Sequence, residues 1–303
     1  MKNYFGKLDV LFPEQNIYNG QWSARNQILL FLVLTVGFYF VGLVFQPNGF
    51  TGFDWVNFFS KGVIPPFYPP WGKYVSLLGW PLMFGLSMAG IGVAIVKRAV
   101  HPISAVFAFI TLPVFWTMFL GQLEGLIVVG LLALPWLTPF ALLKPQISFF
   151  AFGARKSYIV AGIVWIIISI LIWGFWPQKM LAIDGYYGGI RYVQDISIGW
   201  RGLIIALPLF WFSRGDIDML MISGAFCTPH LIPYNMLPFI PAIARLKPRF
   251  AIITCLLSWL PFSANWLGPI GWWLGWLVVI WLWLALAYIR YKESPRQSLP
   301  NQS

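Results

Sequence analysis

About nine long apolar runs, broken by short clusters of charge and proline, limit what this chain can become more than any other feature. They fall near 27–46, 74–96, 102–120, 123–143, 158–176, 196–212, 217–243, 250–267 and 270–289. At 1.5 Å per residue, about 20 residues cover the roughly 30 Å hydrocarbon core of a bilayer, and most runs have that length. The runs are continuous rather than alternating, which argues for helices and against barrel strands. Only 10% of the residues are charged, against roughly 25% in soluble domains. The expected fold is therefore an all-α polytopic membrane protein of about nine (eight to ten) transmembrane helices. Residues 1–289 form one transmembrane domain, and 290–303 form a disordered basic tail, cytoplasmic or interfacial.

The net charge of +11 does not point to nucleic acid. Its basic residues lie in clusters between apolar runs, where topology signals and anionic headgroups place them. Lys2, Lys7 and Arg25 precede the first run, Lys97 and Arg98 follow the second, and Lys144, Arg155 and Lys156 follow the fourth. Those ends are expected to be cytoplasmic, with the N-terminus inside and an uncleaved first span. The loops 47–73, 121–124 and 177–195 then lie outside. Run 217–243 breaks the alternation. It holds Pro229, Pro233, Pro238 and Pro241, and is expected to be one broken or re-entrant segment lining a cavity. Cys227 and Cys255 lie within apolar runs and offer no metal-ligand spacing.

Several polar residues stand out against this background. Asp54 sits in "GFDWVNFFSKGVIPPFYPPW", residues 52–71. It either caps a short helix or serves as a general base held by a proline-stiffened loop. Gln122 and Glu124, in "GQLEG", either make a tight interfacial turn or line the rim of an external cavity. Lys144, in "LLKPQ", reads as an anchor at the cytoplasmic face. Arg191 and Lys179 are the external cations best placed to bind an anion. His230 is either an interhelical hydrogen bonder or a cavity residue, with Tyr234 and Asn235 just after it. His101 reads as a loop residue.

Taken in order, four pieces resemble the GT-C type polyprenol-phosphate-dependent glycosyltransferases, especially glycosyltransferase family 87. They are "DWVNF" at 54–58, "FYPPW" at 67–71, "GQLEG" with "LLKP", and "TPHLIPYNML" at 228–237. The family pattern has Asn where this chain has Glu124, and Asp where it has Asn235, and family members are longer. The resemblance implies a GT-C-like fold in the plasma (inner) membrane. It also implies transfer of mannose or another hexose or pentose from a polyprenyl-phosphate sugar to a glycolipid or glycan acceptor, with inversion. Asp54 takes the place of the general base. Tyr68 and Trp71 would stack on sugar or isoprene, while Arg191, then His230, would meet the leaving phosphate. Gln122, Glu124, Tyr234 and Asn235 complete the substrate-binding set. No cofactor is implied beyond the lipid-linked donor, and a divalent cation is compatible with the scheme. A transporter, or a non-catalytic membrane subunit, are the competing readings.

Overall fold

The computed structural model describes residues 23–63, 65, 68–178 and 193–293. It is helical, with no strand among the described residues. The main α-helices are α1 (Ala24–Val44), α2 (Gly79–Arg98), α3 (Pro102–Phe109), α4 (Leu112–Leu120), α5 (Glu124–Leu132), α6 (Lys156–Trp173), α7 (Leu203–Ser213), α8 (Ile217–Ala225), α9 (Pro248–Trp259) and α10 (Gly275–Glu293). Five stretches are long and apolar enough to cross a membrane: Ala24–Val44, Pro70–Arg98, Lys156–Trp173, Pro248–Leu267 and Pro269–Lys292. A sixth counts if α3 and α4, bent by 42°, are taken as one span. These helices mark an integral membrane protein.

The first pair shows how the outer layer is built. Helices α1 and α2 run side by side because small residues let their backbones approach. A Cβ on Gly42 would sit 2.9 Å from Pro81 Cα, and one on Gly85 would sit 2.7 Å from Thr35 O. The Trp80 indole closes one end by donating to Phe45 O at 2.8 Å. The outer face of α1, including Val33, Phe40 and Val44, stays exposed.

The α3–α4 bend has its own hydrogen-bonding solution. Pro113 stands in the first turn of α4, so the chain cannot continue as one straight helix. The Ile110 carbonyl freed at the break accepts from Trp259 Nε1 at 3.0 Å, and Leu112 N–H donates to Ser258 Oγ at 3.2 Å. Both partners come from α9.

One expected span folds back on itself, and the segment expected to be broken is broken. Lys144 Nζ lies 2.7 Å from Glu124 Oε1. A continuous helix would separate residues twenty apart by about 30 Å, so 124–144 turns back on itself through 133–142. Lys144 is therefore not an anchor at the far face. The second case is 217–245. Helix α8 ends at Ala225, the chain opens over 226–232, and it resumes as a 3₁₀ helix over Pro233–Arg245. Arg245 then pairs with Asp216 at 2.8 Å, so the segment enters and leaves at the same end. Nearly every residue from Pro233 to Ala244 is buried. The expected tail from 290 is also corrected at its start, because α10 continues to Glu293.

A buried ion cluster closes the end where 217–245 begins and finishes. Arg98, the last residue of α2, chelates Asp218 with Nε and Nη2 at 3.0–3.1 Å. Arg245 bonds both Asp216 and Asp218. Asp216 also caps α8 by accepting from the Asp218 and Met219 N–H groups. Two cations thus meet two carboxylates, every one of them hydrogen-bonded, which is the condition under which buried charge is tolerated.

The turn before α7 docks against the opened stretch through Gly202, the N-cap of α7, whose added Cβ would meet Phe226 O at 1.7 Å. Gly202→Ala is expected to lower stability by about 1–3 kcal/mol, seen as a fall in the midpoint of thermal unfolding in detergent.

Candidate functional site

Two left-handed glycines bring Asp54 to Gln122. Gly52 (φ 69°) starts the short helix Phe53–Asn57, and Gly121 (φ 73°) ends α4. A side chain at Gly121 would put its Cβ 2.8 Å from Trp55 Cβ. Only glycine takes this backbone conformation readily. The two turns are tied by Gly52 N–H donating to Phe119 O at 2.7 Å. Asp54 in the first turn and Gln122 just past the cap then face each other.

The Gln122 amide binds on both sides. Its Nε2 donates to Asp54 Oδ2, and its Oε1 accepts from Tyr68 OH at 2.9 Å. The second Asp54 carboxylate oxygen has no hydrogen-bond partner among the described residues. Burial pushes the Asp54 carboxyl up to about 6; nearby Lys144 opposes that shift and Glu124 adds to it. Such a carboxyl changes charge near neutral pH, where a general base is most effective.

Asp54 opens onto a cavity of about 490 Å³, lined also by Gln122, Gln194 and the rings of Phe53, Phe58, Phe59, Tyr68, Trp116 and Tyr234. The volume falls within the range of small-molecule sites. Its walls come from the 47–73 loop, the α4 end, residues 193–194 and the 3₁₀ segment. Tyr68 is braced edge-on by Phe59 at 5.3 Å between centroids.

A second group of polar residues lies next to this cavity. Glu124 Oε1 accepts from Lys144 Nζ at 2.7 Å and from Asn235 Nδ2 at 3.0 Å. Glu124 is 1% exposed and Lys144 3%. The Lys144 ammonium lies 4.4 Å from the Tyr234 ring centroid and 5.1 Å from that of Tyr68. Asn235 has a second task, since its Oδ1 accepts from Ile232 N–H at 2.9 Å and fixes the start of the 3₁₀ helix. The Asn at this position thus joins the broken segment to Glu124, which a carboxylate could not do without repulsion.

His230, fully buried, pairs through Nδ1 with Asp195 Oδ2 at 2.9 Å. Asp195 Oδ1 accepts from the Ser197 and Leu231 N–H groups. The pair therefore pins the opened stretch 226–232 to the chain that follows the 179–192 segment.

Of the residues singled out in the sequence, Asp54, Tyr68, Gln122 and Tyr234 line one cavity, and Glu124 and Asn235 meet beside it. Trp71 does not reach it. Its indole donates to Pro139 O at 2.9 Å and packs among Trp165, Trp173 and Trp176. Arg191 and Lys179 lie outside the described residues. His101 caps α3 by accepting from Ile103 N–H. Lys144 and Asp195 were missed as site residues. The signal for Lys144 was a lone acid and a lone base at the two ends of one apolar run. Nothing in the sequence marks Asp195 as the partner of His230.

Neither protein-family models, nor curated proteins, nor solved structures give a match to this chain.

Proposed function

We propose that this chain is a membrane glycosyltransferase that moves a sugar, mannose or another hexose or pentose, from a polyprenyl phosphate to a hydroxyl acceptor, with inversion. The observation that carries this reading is the Asp54 carboxylate. One oxygen is fixed by the Gln122–Tyr68 chain, and the carboxylate stands at the wall of an aromatic cavity of about 490 Å³. Asp54 takes the proton of the acceptor hydroxyl. The hydroxyl oxygen bonds to the anomeric carbon, and the bond from that carbon to the phosphate oxygen breaks. Its electron pair leaves on the phosphate. A single base opposite the leaving group gives inversion, as in the basic half of inverting glycoside hydrolysis. Gln122 positions the base, and aromatic faces bind the apolar face of a sugar ring. Arg191 remains the candidate for the phosphate. A GT-C-like arrangement of membrane helices in a plasma membrane, N-terminus cytoplasmic, belongs to the same proposal.

The pH profile tests the base. With Asp54 titrating at about 6, the working form is deprotonated, so the transfer rate rises with pH through that value and levels off above it. An initial-rate series from pH 4.5 to 8 with radiolabelled polyprenyl-phosphate mannose and a glycolipid extract reads this directly. A rate flat across that range, from enzyme limited by chemistry, counts against Asp54 as the base.

A second reading, a solute transporter, is favoured by one observation. The broken segment 217–245 enters and leaves at one end, with its opened stretch pinned by the Asp195–His230 pair near the cavity. Broken helices of this kind carry substrate sites in transporters. Substrate counterflow in proteoliposomes without any glycosyl transfer would decide for it.

A further inference from the structure

Away from the Asp54 cavity, a groove of about 470 Å³ lies between α6 and α7. Ile159, Ile163 and Ile166 of α6 line it, and their three- and four-residue spacing puts them on one helix face. Phe210 of α7, Leu220 of α8 and Phe150 complete it. The Phe150 ring is fixed by stacking on Phe210 at 5.1 Å and by Gly224, where an added Cβ would come within 2.0 Å of it. The described lining side chains carry no nitrogen or oxygen. Such a wall does not suit ordered water, which needs two to four polar partners. Helix α6 is one of the five membrane-length helices and keeps Ile167 and Leu171 exposed on its outside. Ile163, in the lining, is itself more than half exposed. The groove therefore opens sideways to lipid hydrocarbon. It lies toward the end that holds the ion cluster, since Leu220 stands one turn after Asp216. At that end Arg155 and Lys156 open α6, one turn before Ile159.

We infer that this groove holds one acyl chain of an anionic diacyl phospholipid, with its headgroup at Arg155 and Lys156. Lipid tails are as apolar as the wall, so close packing draws the chain in, not escape from water. Preference among lipids comes instead from the cation pair, which favours a negative headgroup. The groove shares no described lining residue with the Asp54 cavity. The inference thus stands apart from sugar transfer and from the donor lipid.

The full chain in detergent is titrated with dioleoyl phosphatidylglycerol or dioleoyl phosphatidylcholine, which share their acyl chains. Bound lipids are counted by native mass spectrometry. The first phosphatidylglycerol is expected to bind about tenfold more tightly than the first phosphatidylcholine. Gly153→Phe should abolish that first adduct. An added Cβ there meets only Leu220 Cδ1, at 3.8 Å, so the ring can enter the groove without moving the backbone. Arg155→Gln with Lys156→Gln should keep an adduct but lose the headgroup preference. A phosphatidylglycerol with a photoactivatable group on its acyl chain checks the wild type directly, so a folding defect in a variant cannot obscure the result. Its cross-links are expected within 149–166 and 203–220. Equal binding of the two lipids, a first adduct unchanged in folded Gly153→Phe, or cross-links concentrated on other helices would each overturn the inference. Tighter binding of polyprenyl phosphate at the same peptides would give the groove to a prenyl chain instead. A lipid-free dimer joined through α6 would give it to a second copy of this chain, and either result also overturns the inference.

Discussion

Asp54→Asn is expected to lower the initial rate of sugar transfer by about 10²- to 10⁴-fold, the usual contribution of a positioned general base. The corresponding rise in barrier is about 3–5 kcal/mol. Asparagine keeps the shape and can still bond Gln122, so the protein should unfold at nearly the same temperature. The experiment compares wild type and variant with radiolabelled polyprenyl-phosphate mannose, glucose and arabinose donors, and follows thermal unfolding in the same detergent. A dead but stable variant supports Asp54 as the proton acceptor. Equal rates would take Asp54 out of the chemistry. Gln122→Ala should give a smaller loss, because it frees the carboxylate to rotate without removing it.

The second large effect concerns stability. Lys144→Met removes the cation that holds Glu124, leaving a buried carboxylate with only Asn235 as a described partner. Breaking such a pair from one side costs about 3–5 kcal/mol. The double variant Glu124→Gln with Lys144→Met should recover most of that loss. It leaves no unpaired charge, and glutamine can still accept from Asn235. Thermal unfolding of the two single variants and the double one measures the coupling. A Lys144→Met protein as stable as wild type would mean that the pair contributes nothing to holding 124–144 folded back.

Much of the cavity was legible as residues but not as geometry. Asp54, Tyr68, Gln122 and Tyr234 were each conspicuous, as polar or tyrosyl groups beside glycine or proline in an apolar chain. Their convergence depends on two turns at Gly52 and Gly121 that sequence alone only hints at. Lys144 misled for a physical reason. A base at the end of an apolar run reads as a topology signal, and nothing local shows that the run folds back to meet an acid twenty residues earlier. Trp71 misled in the same way, since an aromatic beside prolines suits a sugar platform and an indole cluster equally. Hydropathy alone does not separate burial in lipid from burial in protein. It reports removal from water, and residues 233–244 are removed from water by protein. Their proline content carried the hint that they are not a straight membrane helix.

The broken segment joins residues made far apart in time, if the chain folds as it is synthesised. Arg98 emerges from the ribosome 120 residues before Asp218, and Glu124 emerges 111 residues before Asn235. Membrane domains that fold as they are made would hold both waiting, with Lys144 already on Glu124 but Arg98 not yet neutralised. When 217–245 arrives, a single insertion supplies Asp218 to the far end, His230 to Asp195, Asn235 to Glu124 and Tyr234 to the cavity wall. In that case the segment would act as a keystone placed late. A chain stalled before residue 217 would carry the Asp54–Gln122 pair in a pocket with one wall missing.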